Sequence, residues 1–107
     1  MTAGQAKARI ERQISAMHRA IARRVRAGDP TPIARARANL DRWERDSFGG
    51  ALPPAYEAWR AVLAQPVETI LAVLEGDDER ARRLRASSPF AGVLDPSERW
   101  AILRDAS

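Results

Sequence analysis

Ala3, Ala6, Ile10, Ile14, Met17, Ile21 and Val25 follow one another at steps of three or four. That spacing draws one narrow apolar stripe along an α-helix, a seam of the coiled-coil type, and predicts a helix over residues 2–27. Arg9, Arg12, Arg19, Arg23 and Arg26 fall mostly on its other faces. At a rise of 1.5 Å per residue such a helix spans about 36–39 Å. That is long for a chain of 107 residues, so part of it is expected to reach toward a second copy or a partner. No segment alternates with period two over a length that would make a strand. The expected fold class is all-α.

Punctuation divides the remainder into short helices. Gly28 can take the left-handed conformation that closes the first helix. In Asp29-Pro30-Thr31-Pro32, Thr31 suits an N-cap and Pro32 the first helical position. Ile33, Ala36, Leu40 and Trp43 then mark an apolar face, making a long N-terminal helical hairpin over residues 1–46. Phe48-Gly49-Gly50-Ala51-Leu52-Pro53-Pro54 is the clearest break. Beyond it, residues 53–105 read as a compact bundle of short helices, the second part of one domain spanning 1–107. One helix carries Tyr56, Trp59 and Leu63; the next carries Val67, Ile70, Leu71 and Leu74 and stops at Gly76. Asp77 is expected to cap an Arg-rich helix that ends before Pro89. Asp95-Pro96-Ser97-Glu98 opens the last helix with an Asp cap, Pro at the first position and Glu at the third. Trp100, Ile102 and Leu103 are its expected core contacts.

Charge is unevenly spread. Residues 1–46 hold eleven basic and five acidic side chains, a net +6, whereas residues 47–107 carry −2. Such asymmetry suits nucleic acid or an acidic partner. Seventeen arginines against one lysine also match the codon usage of a GC-rich genome, so arginine richness alone carries no functional weight. With no cysteine, disulfide scaffolds, thiolate zinc sites and cysteine nucleophiles are excluded. No apolar run reaches membrane-spanning length and the N-terminus lacks the apolar core of a secretory signal, so the expected location is the cytoplasm and no membrane partner is expected.

Enzyme signatures fail in turn. His18, the sole histidine, sits beside Met17 and Ile21 and reads as a packing or hydrogen-bonding group at a helix interface. One histidine and no cysteine make a poor metal site, and Asp77-Asp78-Glu79 is better explained as a helix start. Gly49-Gly50 lacks any phosphate-binding context. No catalytic residue, metal or cofactor is expected. A helix-turn-helix over residues 66–85 would put Glu75, Asp77, Arg82 and Arg85 where apolar residues belong, so it too fails. Residues 1–42 contain no aromatic, leaving the basic hairpin weak phosphate contacts without base stacking. Arg80, Arg82, Arg83 and Arg85 read as a solvated face paired with Glu75, Asp77, Asp78 and Glu79, in preference to a set of donors for a partner.

The apolar loop over residues 88–94 must bury Phe90, Val93 and Leu94 in its own core or against a partner, and Phe90 is expected to join Trp59 and Trp100. Trp59, Leu63, Pro66, Ile70 and Leu74, then Ala81, Leu84-Arg85, Ser88-Pro89-Phe90-Ala91-Gly92 and Leu94, then Arg99-Trp100 and Ile102 form a pattern. It resembles a small bacterial family encoded beside nucleotidyltransferase-like proteins of the AbiEii type and regarded as their antitoxins. The resemblance is clearest over residues 56–104; Met17-His18 and Ile21-Ala22 resemble the family more loosely. It implies neutralisation of a cognate toxin by direct protein contact, with Arg85, Ser88, Pro89, Phe90, Arg99 and Trp100 shaping or supporting the contact surface. A nucleic-acid-binding accessory protein using the basic hairpin, and a homodimer through the seam from Ile10 to Val25, are the alternatives.

Overall fold

A computed structural model describes residues 2–107, apart from the Phe48 side chain. It consists of six α-helices: α1 (Ala3–Arg26), α2 (Thr31–Asp46), α3 (Pro54–Leu63), α4 (Val67–Glu75), α5 (Glu79–Ala86) and α6 (Pro96–Asp105), with a 3₁₀ turn at Phe48–Gly50 between α2 and α3. Among the described residues there is no strand, and no helix is long and apolar enough to cross a membrane. The fold is all-α, as the periodicity predicts.

The ends of α1 are set by its sequence. Thr2 caps it: its hydroxyl accepts from the Gln5 amide at 3.1 Å, and the Gln5 side chain accepts from the Thr2 amide at 2.8 Å, forming a capping box. At the other end Gly28 adopts φ +88°, and the amides of Gly28 and Asp29 donate to the carbonyls of Val25 and Arg24. This is a Schellman closure, and the positive φ is what asks for glycine. The 24 residues of α1 cover about 36 Å, nearly the full 40 Å length of the molecule.

The seam on α1 is used unevenly. Ile21 and Val25 are buried against this chain's own core, together with His18, Ala20 and Ala22, which the stripe did not include. The working face is therefore His18, Ile21, Ala22 and Val25, rotated toward the small alanine that lets neighbouring helices approach. Ile14 and Met17 are half-buried, and Ile10 is 51% exposed. α1 packs on α2, α4, α5 and α6, and its fully buried residues all lie in its second half.

Two starts differ by one residue from expectation. α2 begins at Thr31, with Pro30 in the cap position and no side-chain cap; the Asp29 carboxylate accepts from the Thr31 amide at 2.9 Å. α5 is capped by Asp78, whose carboxylate accepts from the Ala81 amide at 3.2 Å; Asp77 lies outside the helix. At α5 two acids adjoin, and the turn geometry chooses between them. α6 opens as its sequence predicts, with Asp95 accepting from the Glu98 amide at 2.9 Å.

One continuous core joins the first five helices, with Ile102 of α6 packed half-buried against it; Leu40, Trp59, Leu63, Ile70 and Leu74 are its most completely enclosed large side chains. Gly76 sits where α4 hands over to α5 and has ordinary extended dihedrals; it is needed for space. A Cβ there would lie 2.5 Å from the Ala72 carbonyl oxygen and 2.8 Å from the capping Asp78 carboxylate. Because one obstacle is backbone, Gly76→Ala is expected to cost about 2 kcal/mol in chemical denaturation, in the range for overpacking. A neutral or stabilising result would mean that the α4–α5 corner opens freely.

Candidate functional site

The segment with the most unusual chemistry is the loop over residues 87–95, which connects α5 to α6. Pro89, Phe90, Val93 and Leu94 are all buried in it. Phe90 meets Trp59 edge-on, with ring centroids 5.5 Å apart, and His18 at 6.2 Å. The expected third ring is missing from this cluster: Trp100 is 72% exposed.

Three polar side chains hold the loop. Asn39, buried on α2, donates from Nδ2 to the carbonyls of Pro89 (2.8 Å) and Ala91 (2.9 Å). Arg24 of α1 donates to the Val93 carbonyl at 2.8 Å and pairs with Glu98 at the start of α6. His18 bonds through Nδ1 to the Ile14 carbonyl and through Nε2 to the Ser88 hydroxyl, both at 2.7 Å. A carbonyl can only accept, so Nδ1 carries the proton and Nε2 accepts from Ser88. The Phe90 amide in turn donates to Ser88 Oγ at 3.2 Å. Burial pushes His18 down to about 4, against the pull of the Ile14 carbonyl and with help from the nearby Arg85 charge.

Ser88 and His18 thus stand at the separation of a nucleophile and its base. Their surroundings serve attachment instead. The residue after Ser88 is proline, which has no amide to stabilise an oxyanion, and the Phe90 amide is already spent on Ser88 Oγ. A histidine this acidic is also a weak base near neutral pH. The pair fastens the loop to α1 across 70 residues of sequence.

A cavity of about 550 Å³ opens between α1, α5, the loop and the start of α6. Ile14, Met17, Ile21, Phe90 and Leu94 supply its apolar wall, and Arg85 and Arg99 its charge. Arg85 is 4% exposed, and its Nη1 donates to the Val73 carbonyl at 2.8 Å. Its Nε is enclosed without a hydrogen-bond partner, and among the described residues no carboxylate pairs with it. Burial lowers its pKa, opposed chiefly by Asp77.

The six residues expected to form or support a contact surface therefore separate. Arg85, Pro89 and Phe90 are interior groups, placed to support a surface and not to form its exposed part. Ser88 is half-buried on the cavity wall, and Arg99 and Trp100 are exposed on α6. Among the described residues the α5 arginines make none of the ion pairs expected for them. Glu75 pairs with Arg26 of α1, while Arg82 donates to the Asp77 backbone carbonyl. Asn39 and Arg24 were not singled out in the sequence. Asn39 carried a signal, a polar residue next to Leu40 and one turn after Ala36 on an otherwise apolar face.

Asn39→Ala would leave the Pro89 and Ala91 carbonyls without their donor. At about 1–3 kcal/mol for the buried Pro89 carbonyl and less for the part-buried one of Ala91, a loss of about 2 kcal/mol is expected in urea denaturation. A loss below about 1 kcal/mol would mean that water reaches these carbonyls and that Asn39 does not organise the loop. No known family, curated protein or solved structure matches the chain.

Proposed function

We propose that this chain is a non-enzymatic, antitoxin-like protein that binds a nucleotidyltransferase-type toxin by direct contact through the outer face of α6. The observation that carries the reading is Trp100, 72% exposed on a helix with no fully buried residue. Arg99 and Arg104 flank it and are exposed. Tryptophan and arginine are the side chains that most often dominate the energy of protein interfaces. The clamped loop fixes where α6 begins, through Arg24 and Glu98, so the face is presented by a rigid support.

The partner class comes from the resemblance over residues 56–104 together with charge. A nucleotidyltransferase centre gathers carboxylates around its metal, and the arginines beside Trp100 are complementary to such a surface. Neutralisation is then steric and electrostatic, with Trp100 as the apolar anchor.

The test is rescue of growth. A nucleotidyltransferase-like protein encoded beside this chain, expressed alone, is expected to arrest growth, and co-expression of the wild-type chain to restore it. Trp100→Ala should keep the melting temperature within about 3 °C, because surface changes stay within about ±0.5 kcal/mol. It should nevertheless abolish rescue. Full rescue by a folded Trp100→Ala protein would remove α6 from the mechanism.

A second reading is favoured by one observation. Lys7, Arg9, Arg12, Arg19 and Arg23 are exposed on α1 and form no ion pair among the described residues. They offer a basic track for phosphates, and binding of that kind falls steeply with salt.

A further inference from the structure

We propose that the cavity between α1, α5 and the loop over residues 87–95 binds a small organic carboxylate with an apolar body, held by Arg85. This goes beyond the reading of α6 as a protein contact and does not depend on it.

The argument starts from an imbalance. A guanidinium enclosed to 4% exposure is ordinarily matched by a carboxylate, because removing an unpaired charge from water is costly. Arg85 has one carbonyl partner at Nη1 and an Nε with none. Nε is enclosed, so a ligand in the cavity would meet the Nη end of the guanidinium, whose paired N–H groups can receive a carboxylate end-on. Asp77 and Asp78 influence its charge from a distance but do not pair with it. An anion is the missing component.

The wall decides which anion. Ile14, Met17, Ile21, Phe90 and Leu94 offer carbon, and the polar groups nearest the loop, His18 and Ser88, are bonded to each other. An inorganic phosphate would leave this carbon surface uncovered. A carboxylate needs only the fork of one arginine, and an alkyl or aryl body would fill the apolar remainder. Arg99 stands on the same cavity wall and adds a second positive charge. The volume of about 550 Å³ falls within the range of small-molecule sites.

Decanoate, used below its micelle concentration, tests this on the intact chain, with decanol and acetate as controls. In ¹⁵N spectra the Arg85 Nε–H resonance is expected to shift with decanoate and stay in place with decanol. Calorimetry should give decanoate an affinity at least tenfold above decanol, with no detectable acetate binding. Arg85→Met, which keeps the length of the side chain, should weaken decanoate at least tenfold and leave decanol unchanged. Equal binding of decanoate and decanol by the wild-type chain would overturn the proposal without reference to any variant. So would no binding of decanoate, or a shift confined to residues outside the cavity.

Discussion

Trp59→Ala is expected to destabilise the chain by about 4 kcal/mol, the largest effect of any single truncation considered for this fold. Trp59 is wholly enclosed, meets Phe90 edge-on, and donates from Nε1 to the Leu84 carbonyl at 2.6 Å. It therefore joins α3, the end of α5 and the loop at one point. Alanine would leave a cavity in a packed interior and an unpaired carbonyl on α5. Domains of this size have about 5–15 kcal/mol in total, so much of the population should unfold under mild urea. Trp59→Phe keeps most of the buried surface and loses only the hydrogen bond and part of the ring, so about 1–2 kcal/mol is expected for it. If alanine costs less than about 2 kcal/mol, the three elements do not meet through this ring.

Stability should also fall as the solution is made acidic, because of His18. Its folded pKa, about 4, lies below the unfolded value near 6.5. Well above pH 6.5 the ring is neutral in both states and contributes no pH dependence. Between pH 6.5 and 4 the unfolded chain binds a proton that the folded chain refuses, so protonation favours unfolding. The slope approaches about 1.4 kcal/mol per pH unit and the total about 3 kcal/mol, reached once both states are protonated. Burial fixes the sign of the shift, and the groups around the ring adjust its size. Arg85 adds positive charge, Ser88 donates to Nε2, and the Ile14 carbonyl favours the proton. His18→Gln should be less stable at neutral pH and lose this dependence. Equal slopes for the two proteins between pH 6.5 and 4 would place the acid response elsewhere.

Local signals were readable because they lie within one or two turns of chain. Thr2 with Gln5, Gly28 after Val25, and Asp95-Pro96 with Glu98 each fix a helix end through neighbours in sequence. Where two acids adjoin, as at Asp77 and Asp78, sequence could place the start of α5 only to within a residue. The orientation of α6 was not legible for a geometric reason. At about 100° per residue, Trp100 and Ile102 point roughly 200° apart, so both cannot face the core. The structure half-buries Ile102 and leaves Trp100 outside. Nothing local says which.

The site was harder still, since its bonds run across the fold. Ser88 meets His18 from 70 residues away, and Asn39 reaches Pro89 over 50. Arg85 looked like one of four equivalent arginines on a solvated helix. Its burial follows from where α4 lies, and the Val73 carbonyl that receives it is 12 residues back. Arg85 and Phe90 are therefore unsuitable for mapping a contact surface by alanine substitution, since removing either disturbs the interior. Trp100 and Arg99 are the positions where a loss of binding can be separated from a loss of fold.

The central claim is that α6 makes a protein contact, and co-purification from the native host tests it most directly. Tagged wild-type chain and Trp100→Ala would be recovered in parallel after nuclease treatment and a high-salt wash, with the captured material identified by mass spectrometry. The expected result is a nucleotidyltransferase-like protein in stoichiometric amount with the wild type and absent with Trp100→Ala. Recovery of nucleic acid alone, lost at high salt and unchanged by the substitution, would contradict the account and move function to the basic face of α1.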